Sequence, residues 1–132
     1  MCNQSEWIVR EAFLAYDRGD MTRMMDLVDP DLEWTYLDPS QAEPEPQTCH
    51  GRAELEKALR RQADLGLRSE LEQVIAVGEK VIVVTRTPGA DQHRQWEISD
   101  RNFEVVTVRD GMIVGMRACR DRDEAQSLAG LS

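Results

Sequence analysis

Phe103-Glu104-Val105-Val106-Thr107-Val108-Arg109-Asp110-Gly111-Met112-Ile113-Val114-Gly115-Met116-Arg117-Ala118-Cys119 is the stretch whose reading decides the fold. Two runs rich in β-branched residues flank Arg109-Asp110-Gly111. Asp-Gly tolerates the positive φ that a two-residue hairpin turn needs. The pattern predicts strands near 93–108 and 112–120. Alternation sets Trp96, Ile98, Glu104, Val106 and Val108 on one strand face, and Phe103 and Val105 on the other.

Upstream of the hairpin, two further strands are expected near 67–77 and 80–87, with Pro88-Gly89-Ala90-Asp91 as the turn that follows. Downstream, Asp121 is placed to cap a short helix, Arg122 to Leu128. The N-terminal half is mostly helical. Ile8, Val9, Ala12, Phe13 and Tyr16 form an apolar stripe on a helix from about Gln4 to Arg18, with Asn3 and Glu6 spaced as a capping box. Gly19 ends that helix, and Asp20 caps a short second one that stops before Pro30. A strand follows from Leu32 to Asp38, with Leu32, Trp34, Tyr36 and Asp38 on one face. Residues 39–49 read as a surface loop. Gly51 to Asp64 is a third helix. The order is α-α-β-α-β-β-β-β-α, an α+β fold with a mostly antiparallel sheet.

Composition bounds the function. The 132 residues suit one domain, 1–132. A net charge of −9 would repel nucleic acid and anionic membrane surfaces. No apolar run approaches a membrane span, and the polar N-terminus lacks the features of a secretory leader, so a cytoplasmic protein is expected. Three cysteines, Cys2, Cys49 and Cys119, contain no Cys-x-x-Cys pair and suggest reduced thiols. His50 and His93 lie in no ligand motif, so no metal is expected. No phosphate loop or nucleophile elbow is present, and no cofactor is expected.

Several segments together resemble the nuclear transport factor 2-like superfamily, in its SnoaL-like and ketosteroid-isomerase-like branch. Ala12-Phe13-Leu14-Ala15-Tyr16-Asp17-Arg18-Gly19-Asp20 is similar to the family's first helix and its break. Leu27-Val28-Asp29-Pro30-Asp31-Leu32-Glu33-Trp34 is similar to its entry into the first strand. His50-Gly51-Arg52-Ala53-Glu54-Leu55 is similar to the start of its third helix, and the Asp110-Gly111 hairpin and Arg120-Asp121-Arg122 tail to its end. The resemblance implies a cone-shaped α+β barrel whose curved sheet wraps the N-terminal helices around a ligand pocket. It also implies a homodimer through the outer sheet face, for which Phe103 and Val105 would supply apolar surface. The fold hosts many reactions, so chemistry must come from the site. Where isomerases carry a helix tyrosine, direct counting lands on Ala12. Their general base falls on Tyr36, or on Asp38 after a two-residue insertion. Their second acid falls on Phe103, or on Glu104 if the turn is one residue shorter. The key aspartate of epoxide-hydrolase-like members is replaced by Ala118, which argues against that activity.

Asp38 and Glu104 are therefore the candidate catalytic pair. A carboxyl among apolar neighbours has a raised pKa, and can act as a base near neutral pH or donate a hydrogen bond while protonated. The structural alternatives are a turn cap for Asp38 and an arginine partner for Glu104. Tyr16, Trp34, Tyr36, Trp96, Val106 and Met116 are expected to line the interior, either as pocket wall or as plain core. His50 is a candidate proton shuttle or a solvated loop histidine. Arg86, on the face of Ile82 and Val84, could meet a ligand acid or pair with Glu104. The expected function is a small-molecule pocket protein binding an apolar compound. Its finer form is a cofactor-free isomerase or cyclase acting on a carbonyl compound. The rival is a non-catalytic ligand-binding or association domain.

Overall fold

A computed structural model describes residues 4–36, 45–64, 70–86, 101–119 and 121–130. The elements run α1 (Gln4–Asp17), α2 (Met21–Asp26), β1 (Val28–Tyr36), β2 (Gln47–His50), α3 (Gly51–Asp64), β3 (Glu70–Val77), β4 (Lys80–Arg86), β5 (Arg101–Arg109), β6 (Met112–Cys119) and α4 (Arg122–Ala129). The six strands form one sheet in the order β2-β1-β6-β5-β4-β3. Every neighbouring pair is antiparallel except β1–β6, which is parallel. The α+β class and the mostly antiparallel sheet are as the sequence implies. The sheet is open at β2 and β3 rather than closed into a barrel.

The decisive hairpin forms as read. Asp110 has φ 53° and Gly111 φ 78°, so both central residues of the turn are left-handed. The β4–β5 register runs without a shift from Lys80↔Thr107 to Arg86↔Arg101. An irregularity does occur between β5 and β6, at Thr107 and Val108. It leaves the alternation along β5 intact, so Glu104 and Val106 share a face.

That face is the inner one. α1 packs on β3 to β6, and α3 on β1 and β2. Ile8, Val9 and Ala12 of α1 and Leu55 and Leu59 of α3 meet Leu32, Trp34, Val81, Val83, Val106 and Met116 in the larger core. Burial of this apolar surface is the main stabilising term. Two helix starts are capped as expected: Asp20 accepts from the Arg23 N–H at 3.1 Å and Asp121 from the Glu124 N–H at 2.9 Å.

A second, smaller core lies on the opposite, outer face. α4 lays Ala125 and Ala129 over Ile82, Val84, Phe103, Val105 and Cys119. This corrects one expectation. Phe103 and Val105 are each only 5% exposed, so they offer no apolar surface for a dimer. The reason is that the C-terminal helix folds back over them.

Two boundaries differ from the sequence reading. The first strand begins at Val28, ahead of Pro30, and its register against β6 shifts between Val28 and Glu33. The Val28 carbonyl accepts from Arg52 Nε at 2.8 Å, which satisfies a backbone acceptor at the start of the strand. Gly51 beside it has φ 83°, and a Cβ there would stand 3.1 Å from the Pro30 carbonyl oxygen. The His50-Gly51-Arg52 motif thus clamps the start of β1. The other difference is β2, at Gln47–His50, where a loop was expected. It pairs with β1, Trp34↔Cys49 and Thr35↔Thr48, and the two threonine hydroxyls lie 2.9 Å apart. Among the described residues no helix is long and apolar enough to cross a membrane.

Candidate functional site

Strand register arranges the inner face in rows. In one row Cys49 of β2, Trp34 of β1, Met116 of β6, Val106 of β5 and Val81 of β4 stand side by side. In the next, Gln47 pairs with Tyr36, and Ala118 with Glu104, which pairs in turn with Val83. Thr35 is opposite Arg117, and continuing that register by one residue brings Tyr36 beside Ala118. Glu104 is thus two strands from Tyr36, about 10 Å at the usual spacing, with a single methyl between them.

Glu104 is half-buried, whereas its row neighbour Val83 and its face neighbour Val106 are fully enclosed. Among the described residues its carboxyl has no hydrogen-bond or ion-pair partner. Burial lifts its pKa from the ordinary 4.5 to about 7. The side chain therefore carries a proton for about half the time at neutral pH. A buried structural carboxylate would instead be held charged by a cation or backbone donors. Ala118 takes part in this. An acidic residue there would be Glu104's cross-strand neighbour, whereas alanine leaves the carboxyl alone.

Trp34 and Tyr36 form the other side of the inner face, their ring centroids 4.7 Å apart and tilted by 33°. The Tyr36 hydroxyl donates to Gln47 Oε1 at 3.1 Å. Trp34 is 4% exposed, and its Nε1–H has no partner among the described residues. A buried donor without an acceptor costs about 1–3 kcal/mol. Tyr16 reaches inward from α1, and its hydroxyl donates to the Leu59 carbonyl at 3.3 Å. Burial raises its pKa. That hydroxyl ties α1 to α3, which is the structural alternative for Tyr16.

Two of the candidate site residues stand on the outer face, His50 as the solvated alternative had it. His50 is cross-strand from Glu33 on the outer face, with Nδ1 3.5 Å from the Glu33 carboxylate and its side chain 63% exposed. Buried Cys49, its chain neighbour, takes the inward position, because adjacent strand residues point to opposite faces. Arg86 does share the face of Ile82 and Val84, as alternation requires. Those residues belong to the core beneath α4, so Arg86 is on the far side of the sheet from Glu104. Asp38 and Trp96 lie outside the described residues. Val106 and Met116 are in the inner core. Cys119 faces α4, where burial, Glu124 and Glu104 push its thiol up to about 12. Among the described residues no three His, Cys, Asp or Glu side chains cluster as a metal site.

What the sequence reading missed is the orphaned indole donor of Trp34. Ala118, which that reading sets where epoxide-hydrolase-like members have their aspartate, stands beside Glu104 across the β5–β6 pairing.

The open α+β sheet thus has α1 and α3 on one face, α4 on the other, and Glu104 on the face under α1 and α3. The chain matches the SnoaL-like domain over residues 9–116, and it belongs to that family. No curated protein matches it in sequence. Solved structures of the same fold include an NTF2-like protein from Burkholderia thailandensis, 22% identical over 99% of this chain and 100% of that one, with a TM-score of 0.70. A provisional polyketide cyclase from Sinorhizobium meliloti is 17% identical over 85% and 93%, with a TM-score of 0.66. TerC, co-crystallised with polyporic acid, is 17% identical over 96% and 98%, with a TM-score of 0.63. At these identities the likeness is one of fold.

Proposed function

We propose that this protein is a small-molecule enzyme that moves a proton on an apolar carbonyl compound, as a cofactor-free isomerase or cyclase, with Glu104 as its acid and base. The observation that carries the reading is Glu104 itself: inward, half-buried, without a cationic partner among the described residues, and with a pKa that burial raises to about 7. Such a carboxylate takes a proton from the carbon next to a carbonyl, and the C–H electrons pass into an enolate. For isomerisation, the resulting carboxylic acid returns the proton to a different carbon. For cyclisation, the enolate carbon bonds to a second carbonyl carbon, whose π electrons move to oxygen, and Glu104 protonates that alkoxide. The apolar residues around Glu104 favour an apolar substrate. The provisional polyketide cyclase and the polyporic acid complex among the fold relatives are consistent with this substrate class.

Deuterium uptake from D2O into the α-carbon of α-tetralone and related cyclic aryl ketones tests the reading. The protein should accelerate exchange along a pH profile centred near 7. Glu104→Gln should lower that rate by about 10²–10⁴-fold. Exchange at the buffer rate across the ketone panel, or full activity in the Gln variant, would overturn it. The rival, a non-catalytic ligand-binding domain, draws on the stacked and buried Trp34 and Tyr36. Ketone binding without exchange is its expected signature.

A further inference from the structure

Among the described residues the inner face carries a second unpaired polar group besides Glu104. Trp34 Nε1–H is a donor only, and it is enclosed with no acceptor among the described residues. Its ring is fixed on both sides. Tyr36 stacks against it at 4.7 Å, and the register sets Cys49 and Met116 as its cross-strand neighbours. Neither neighbour offers an oxygen, so the orphan follows from the chemistry of the row. Buried polar groups in folded proteins are overwhelmingly paired, so a donor left unpaired among the described residues is a place where a ligand acceptor would be favoured.

The acceptor must fit the rest of the face. Trp34 is two strands from Glu104 and one row along, with Met116 and Ala118 on the intervening strand. A molecule lying over β6 would touch one donor at one end and one proton acceptor at the other, with apolar contact between. We propose that Trp34 holds the carbonyl oxygen of the ligand whose C–H proton Glu104 handles, so that the ligand is a flat apolar ketone read by a single hydrogen bond. This rests on the acid/base reading of Glu104 given above. Trp34 then acts as the residue that orients the ketone. As the carbonyl becomes an enolate its oxygen gains negative charge, and a donor already aimed at it stabilises that charge without reorganising. The site also discriminates. A hydrocarbon of the same shape leaves the donor unpaired, whereas a ketone satisfies it.

The test uses the full chain with α-tetralone and with tetralin, the hydrocarbon lacking only the oxygen. There are three tryptophans, so a proton–nitrogen spectrum has three indole N–H signals, and Trp34→Phe identifies the one from Trp34. Saturating tetralone should move that signal downfield, and tetralin should not. The wild-type protein should prefer tetralone to tetralin by about tenfold more than Trp34→Phe does. Trp34→Phe should also slow deuterium exchange at saturating ketone, while Glu104→Gln keeps the wild-type preference for tetralone. The two claims separate in the wild-type protein and in Glu104→Gln. Wild-type exchange at the buffer rate, or undiminished exchange in Glu104→Gln, with the ketone preference intact would remove the proton-transfer reading and leave the anchor standing. An equal preference in wild type and Trp34→Phe would overturn the anchor even if exchange persists. So would an unmoved Trp34 signal, or a nuclear Overhauser contact from it to a long-lived internal water that survives ketone saturation. If neither compound binds at millimolar concentration, the anchor fails.

Discussion

The two faces of the sheet treat polar groups in opposite ways, although β5 contributes alternate residues to both. On the outer face Phe103 and Val105 are sealed under α4, and two arginines at the margin have partners. Arg122 lies 5.4 Å from the Phe103 ring centroid and donates to Gln73, while Arg101 makes a two-pronged contact with Glu72 at 2.9 and 3.0 Å. On the inner face Glu104 and the Trp34 indole have no partner among the described residues. A face built only for stability would pair or replace such groups, since each is costly when buried. Departures from polar satisfaction gather at functional sites, where another requirement competes with stability. The contrast is what directs attention to the inner face, independently of any relative.

The largest expected effect breaks the outer face. Phe103→Ala should cost about 3–5 kcal/mol, because it leaves a cavity and removes the platform for α4. Urea unfolding measures it. A loss below about 1 kcal/mol would mean that α4 does not seal this face. The next effect has the opposite sign and belongs to the inner face. The Glu104 carboxyl titrates near 4.5 when unfolded and about 7 when folded. Between those values the folded protein keeps a proton that the unfolded chain has released. Stability therefore falls as pH rises through this window and levels off above it. Glu104→Gln should abolish the fall, matching wild type near pH 4 and exceeding it above pH 7 by up to about 3 kcal/mol. Parallel pH profiles for the two proteins would place the carboxyl in water. The smallest effect sharpens the comparison at the end of α4. Asp121→Ala removes the cap that receives the Glu124 N–H, and should cost about 1 kcal/mol. Hydrogen exchange should show the loss confined to α4 and the outer strands. An equal loss of protection in α1 would couple the two faces.

Most of the fold was legible because its signals are local. The helix stripe of Ile8, Val9 and Ala12, the caps at Asp20 and Asp121, and the Asp110-Gly111 turn act within a few residues. The edge strand β2 was not legible. Gln47–His50 is four residues with no apolar alternation, and it forms because β1 offers a free edge. The site was half legible. Glu104 could be singled out by its neighbours in the alternation. The unpaired state of Trp34 could not, since it depends on which atoms from distant segments fail to reach the indole.

By itself the sequence determined that Glu104 and Val106 share a face, that Phe103 and Val105 share the other, and that Arg86 goes with Ile82 and Val84. The two-residue period of a strand settles who stands beside whom. Which face looks inward was decided only by tertiary structure. Alternation is symmetric between the faces, and the symmetry is broken by helices that arrive from far along the chain: α1 and α3 on one side and α4 on the other. That long-range choice buries Phe103 where a dimer surface was expected and puts Arg86 out of reach of Glu104. It leaves the Glu104 carboxyl facing the helices with no partner among the described residues, where burial raises its pKa.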